Sequence, residues 1–264
     1  MNSLRLSFAF FASTAFIAAC GGGGSSSTTT PVTIGTASAV AAVTKVEGYY
    51  TGTVSSGTQF QLLALENDQI YALIGNSDAQ GVFRVASLVE GPGTSSNGSF
   101  SISNAKEYSA SGQVFTGSIS GSFNPRTSVM GNVVSSSGTA SFTGTAPTAS
   151  LYNYDTPTPI SAVAGDWSGA TLFNEGVVFS ITASGAITGR STSGCTFSGS
   201  AAPRATGKNV LDATVTFGAV PCGQPGITAT GIAVSSLLAN GKRQLIFAVN
   251  NAGRTAANVV FAQR

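Results

Sequence analysis

The chain has 264 residues, of which 12 are Lys or Arg, 10 are Asp or Glu and none is His. A net charge of +2 lacks the basic stripe that a nucleic-acid surface needs, and the missing imidazole removes the usual zinc ligand and every Ser-His or Cys-His nucleophile pair. Charged residues make up only 8% of the chain, against roughly 25% in an average soluble domain, so hydroxyls and amides must carry its solubility.

Met1 to Arg5 holds one positive charge, and Leu6 to Ala19 is a largely apolar stretch of 14 residues. A bilayer span needs about 20, so residues 1–19 read as a secretory leader. The stretch ends Ile17-Ala18-Ala19-Cys20, which resembles the bacterial lipobox. That resemblance implies cleavage before Cys20, which becomes the new N-terminus, and attachment of a diacylglyceryl group to its thiol, so that two or three acyl chains, palmitate among them, anchor the protein to a membrane without its crossing it. Gly21–Gly24 and the Ser/Thr run that follows contain no apolar residue, so residues 20–45 read as a tether. A Gly-rich run directly after such a Cys resembles that of Gram-negative surface lipoproteins, including transferrin-binding-protein-like ones. Gly21 in place of Asp at the second mature position fits sorting to the outer membrane. A weak helical period covers only Ala37 to Val46.

Beyond the tether the chain reads as strands. Val177, Phe179, Ile181 and Ala183 alternate with Val178, Ser180 and Thr182, a period of two that buries one face. Asn240-Gly241 between Ile232–Leu238 and Gln244–Val249 is a strong hairpin signal, because a type I′ turn needs positive φ at both central residues. Asn67-Asp68 plays the same part between Phe60–Leu65 and Ile70–Ile74, and Asn251-Ala252-Gly253 precedes the last strand. Residues 46–145 are expected to form a first β domain, 146–163 with Pro147, Pro157 and Pro159 a linker, and 164–264 a second β domain. Each parses into about eight short strands, which gives an all-β chain of two tandem antiparallel barrels or sandwiches. Strands shorter than nine to eleven residues argue against a transmembrane barrel.

The two halves begin alike. Gly48-Tyr49-Tyr50-Thr51-Gly52 matches Gly165-Asp166-Trp167-Ser168-Gly169 at an offset of 117, and Gly57-x-x-Phe60 matches Gly176-x-x-Phe179 at 119, which suggests a duplicated unit with one loop changed by two residues. Gly-x-Trp on a first strand followed by a meander resembles the calycin group and the barrels of transferrin-binding-protein-like lipoproteins. In calycins a late Arg packs on that Trp, so the resemblance implies Arg254 or Arg264 over Trp167.

Once Cys20 is lipidated, Cys195 and Cys222 remain, and an even number in an exported chain implies a disulfide. Catalytic motifs fail on context. Ser103-Asn104-Ala105-Lys106 fits Ser-x-x-Lys but lacks its partner segments, and Gly207-Lys208 lacks the rest of a phosphate loop. No catalytic residue, metal site or cofactor is expected. The function expected is that of a lipid-anchored outer-membrane protein, a non-catalytic binding or structural module that engages an envelope or host protein. The alternative is a calycin-like carrier of a small apolar ligand, because an eight-stranded barrel can be either filled or hollow.

Overall fold

A strand covered on one face alternates apolar and polar residues, whereas a strand covered on both faces reads as a continuous apolar run. Both patterns occur here, and they map the architecture. The computed structural model describes residues 44–264 apart from 80, 81, 137, 149–151 and 239, and these belong to one compact unit. The leader, Cys20, nearly all of the tether and most of the helical period lie outside the described residues.

The first barrel is built from β1 (Gly48–Val54), β2 (Gln59–Ala64), β3 (Gln69–Ser77), β4 (Phe83–Pro92), β6 (Ser99–Ser109), β7 (Val114–Asn124), β8 (Ser128–Ser135) and β9 (Gly138–Thr145), with the short β5 (Thr94–Ser96) paired onto β6. Every neighbour is antiparallel, and pairing of β1 with β9 and of β4 with β6 closes the ring. A 3-10 turn (Ile160–Ala162) leads into the second barrel: β10 (Gly165–Thr171), β11 (Gly176–Ile181), β12 (Ala186–Ser191), β13 (Thr196–Pro203), β14 (Leu211–Phe217), β15 (Thr228–Leu237), β16 (Arg243–Asn251) and β17 (Ala257–Gln263). It closes through β10 and β17. The chain is therefore all-β, with two tandem closed eight-stranded barrels, not sandwiches. Closure leaves no long unpaired edge in either. The strands exceed the expected length in places: β6 and β7 run 11 residues each, with a register shift between Ile102 and Ala105.

Each interior has its own apolar cluster, and a third lies between the barrels. Phe60, Leu62, Phe100, Ile119, Phe123 and Phe142 fill the first; Trp167, Phe179, Leu211, Leu245 and Phe247 belong to the second. The third joins the outer faces of the two: Leu63, Leu65 and Leu88 from the first with Ile232, Ala248 and Val259 from the second. This explains the runs Leu62-Leu63-Ala64-Leu65 and Leu245-Ile246-Phe247-Ala248-Val249, whose successive side chains go alternately to an interior and to the seam. Strands away from the seam, such as Val114–Asn124, alternate with Ser, Thr and Gly instead.

Register corrects the duplication offset. Gly52 pairs with Phe60, whereas Gly169 pairs with Val177, and Trp167, not Gly169, pairs with Phe179. The offset of 117 thus continues through the hairpin: Phe60 corresponds to Val177 and Leu62 to Phe179. It persists into the third strand, where Ala64 pairs with Ile70 and Ile181 with Ile187. No two-residue change is needed. The motif itself has a structural cause: Gly48 and Gly165 have φ of 145° and 120°, which other residues rarely adopt, while a Cβ on Gly52 or Gly169 would strike the carbonyl of Thr143 or Phe261 on the adjoining strand.

Candidate functional site

The second barrel is stoppered at one end. Trp167 is buried and donates from Nε1 to the Val163 carbonyl at 2.8 Å. The guanidinium of Arg264 lies 4.6 Å from the Trp167 ring centroid and donates to the carbonyls of Ala162 and Ala164, tying the 3-10 turn across the opening. Of the two arginines expected over Trp167, Arg264 takes the position. Arg254 goes to the seam, where its Nε donates to Glu90 at 2.7 Å; Glu90 is only 1% exposed and also accepts from Tyr108. A buried carboxylate needs such partners, because its desolvation in isolation is costly.

At the opposite end the barrel is open. A cavity of about 460 Å³ enters between the β10–β11, β12–β13, β14–β15 and β16–β17 connections, within the size range of small-molecule sites. Its wall is apolar: Val177, Phe179, Phe197, Val215, Phe217 and Phe247. Phe179 packs edge-on against Phe247 at 5.6 Å and tilted against Phe197 at 6.5 Å, which forms the floor. Phe173 and Val220 stand exposed close to the mouth, and the first barrel contributes one wall through Gln113 of its β6–β7 turn and Val114 at the start of β7.

The two cysteines expected to bond do so, across 27 residues. Cys195 precedes β13 and Cys222 lies in the β14–β15 connection, so the bridge clamps two of the segments around the mouth. That connection carries Gln224. Its Oε1, and Nδ2 of Asn258 on β17, are buried without a hydrogen-bond partner, and both residues line the cavity. Alternation explains the placement of Asn258: Ala257 and Val259 face the seam, so Asn258 and Val260 face inward. Glu175 is the one charged residue of the lining. Hydrogen bonds from the Ser191 and Ser193 side chains hold its carboxyl below the ordinary range, outweighing a small desolvation effect.

Four further carboxylates are held by arginines, two to each. Asp155 and Glu47 share Arg126, at 3.0 and 2.9 Å from its Nη2. Arg204 holds Asp212 at 2.7 Å and Glu66 at 3.4 Å. The aromatic pair of the expected linker bridges the barrels: Tyr152 packs on Tyr49 and donates to the Asn209 carbonyl, and Tyr154 donates to Glu66. Ser103 and Lys106 lie within strand β6, with Lys106 donating to Thr116. Among the described residues no three of His, Cys, Asp and Glu gather as a metal site would require.

No family model matches the chain, and no curated protein does. Among solved structures it is similar to a protein of unknown function from the DUF3598 family of Nostoc punctiforme, at 13% identity over 83% of this chain and 94% of that one, with a TM-score of 0.25. It is likewise similar to a chain from Bacteroides fragilis described as a "putative outer membrane protein", at 12% identity over 83% and 95%, with a TM-score of 0.23. Scores this low make both distant likenesses and nothing more.

Proposed function

We propose that this protein is a lipid-anchored, non-catalytic binding module of the bacterial outer membrane, and that its second barrel binds a small apolar molecule. The anchor rests on Ile17-Ala18-Ala19-Cys20 and the Gly-rich run behind it. The binding rests on one observation: the second barrel keeps an open cavity of about 460 Å³ whose wall is mostly apolar, with several aromatic rings. Water confined against such a wall is displaced by an apolar ligand at a gain of roughly 25 cal/mol per Å² of apolar surface covered. The disulfide and the Arg264–Trp167 stopper hold the walls apart without a ligand, so little ordering accompanies binding. Of the two expectations raised by the sequence, the carrier is the one this geometry favours.

Native mass spectrometry of protein purified from its source tests the reading. A bound mass absent from a Val177→Phe variant supports it, and an empty barrel that also fails to take up the neutral fluorophore N-phenyl-1-naphthylamine sinks it. For the anchor, labelled palmitate should enter the wild-type chain and not Cys20→Ala.

A further inference from the structure

Charge is segregated between the two ends of the molecule. At the stoppered end the turns carry Glu66, Asp68, Arg126, Arg204, Lys208 and Lys242, and the Arg204–Glu66 pair joins turns of the two barrels there. Around the mouth, the β10–β11, β12–β13, β14–β15 and β16–β17 connections hold only Glu175 and Arg254, and the β6–β7 turn holds no charge. Glu175 accepts from the Ser193 backbone N–H, and Arg254 is turned into the seam towards Glu90. The rim instead exposes apolar side chains from three separate segments: Val114 at the start of β7 (40%), Phe173 between β10 and β11 (51%), and Val220 (81%) and Ile227 (42%) between β14 and β15.

Building on the reading of an anchored protein with an apolar ligand, we infer that the mouth of the second barrel docks on a lipid bilayer surface. Phe173, Val220 and Val114 enter the layer below the headgroups, and the ligand passes between bilayer and barrel without crossing water. Covering those side chains gains roughly 25 cal/mol per Å² of apolar surface, and a rim nearly free of charge avoids the cost of taking ions out of water. Because the apolar side chains stand on separate connections around an opening, each can enter a fluid layer independently, which a rigid protein face does not permit. The charged end then faces water, as the polar side of an interfacial protein does. The chain before Lys45 joins β1 at the charged end, but its length allows this orientation. Residues 20–45 can reach at most roughly 80–90 Å, whereas an 11-residue strand such as β6 rises only about 37 Å.

Trp167 is the sole Trp and is buried at the stoppered end, so it serves as an internal reference. Phe173→Trp protein purified from its source is reconstituted in phosphatidylcholine vesicles with brominated acyl chains. The added indole should be blue-shifted and quenched, while wild-type emission stays as in unbrominated vesicles. Val220→Trp should behave alike, and it carries the test if thermal melting shows that Phe173→Trp does not fold. Adding Phe173→Glu to Val220→Trp should restore most of the lost emission, because a charge on the rim resists leaving water. Quenching that persists with Phe173→Glu means that the anchor alone crowds this face against lipid, and overturns the docking. Quenching of the wild type as strong as that of the variants overturns the orientation. A concentration-dependent dimer in sedimentation that Phe173→Glu abolishes, with no quenching in vesicles, overturns the docking in favour of a second copy. Absence of quenching in a chain that incorporates palmitate and takes up N-phenyl-1-naphthylamine overturns the docking alone. In a chain that fails either of those assays it overturns the docking together with the failed reading.

Discussion

The two barrels share strand number, connectivity and the register of their first three strands, yet aromatic rings pack across the interior of the first while the second holds an open cavity. Phe60 touches Phe142 edge-on at 5.8 Å, and Phe100 lies 6.5 and 6.4 Å from Phe123 and Phe142. At the position equivalent to Phe60 the second barrel has Val177, which lines the cavity. Phe60 lies close over Gly52 and Gly144, whereas the strand residue beside Gly169 on β17 is Ala262. Strand count sets the bore, and the side chains at a few inward positions decide whether it is filled.

The ends differ as well. In the second barrel a Trp and the last residue's guanidinium form the stopper. In the first, Tyr50 replaces Trp, donating to the Val46 carbonyl at 3.0 Å and accepting from the backbone N–H of Arg126 at 3.3 Å. Arg126 comes from the β7–β8 turn, not from a terminal strand, because Ala146 occupies the place that Arg264 takes. Two different chain segments thus deliver an arginine to equivalent ends, and the first of them is drawn further, to Glu47, Asp155 and the Tyr154 ring.

The contrast can be broken most forcefully from the filled side. Phe60→Ala should cost about 3–5 kcal/mol, the usual penalty for removing a buried ring, and open a void in the first barrel; denaturant unfolding measures the loss. Reduction of Cys195–Cys222 should come next, since a loop of 27 residues corresponds to about 3.5 kcal/mol in the chain-entropy treatment. It is read as a lower melting temperature with dithiothreitol, together with weaker ligand uptake because the mouth loosens. Val177→Phe should change stability by less than about 1.5 kcal/mol, because its ring enters existing space, while abolishing uptake of N-phenyl-1-naphthylamine. It would make the second barrel resemble the first.

The smallest effect lies in the seam. Burial would raise the carboxyl pKa of Asp155, but hydrogen bonds from Lys208 and Arg126 outweigh it, and the net direction is down. Glu66 is lowered likewise, with the hydrogen bond from Tyr154 opposing its burial. A carboxyl whose pKa is depressed by folding contributes stability that is complete above its unfolded value, about 4, and is lost as pH falls through the lower folded value. Melting temperature should therefore be flat from neutral to weakly acidic pH and decline below about pH 4. Asp155→Asn should flatten part of that decline.

Much of the architecture was legible because strands and hairpins are local. Asn67-Asp68, Asn240-Gly241 and Asn251-Ala252-Gly253 all fall between paired strands, and Asp68 has the positive φ (65°) that such a turn uses. The disulfide was legible by counting. The cavity was not, since Val177 and Phe60 read alike as inward apolar residues, and the arithmetic of short motifs misaligned them by two. Asn258 and Gln224 carried no signal at all: an Asn in a strand and a Gln in a loop are unremarkable until the ring closes around them.

Turn chemistry, the period of two and cysteine parity are properties of neighbours along the chain, so composition and order alone determined an all-β protein with two β regions and one bridge. Which barrel is hollow, which arginine covers Trp167 and which amides are stranded without partners depend on residues dozens of positions apart meeting in space. Those outcomes come from packing volume and desolvation, which exist only once the strands have closed.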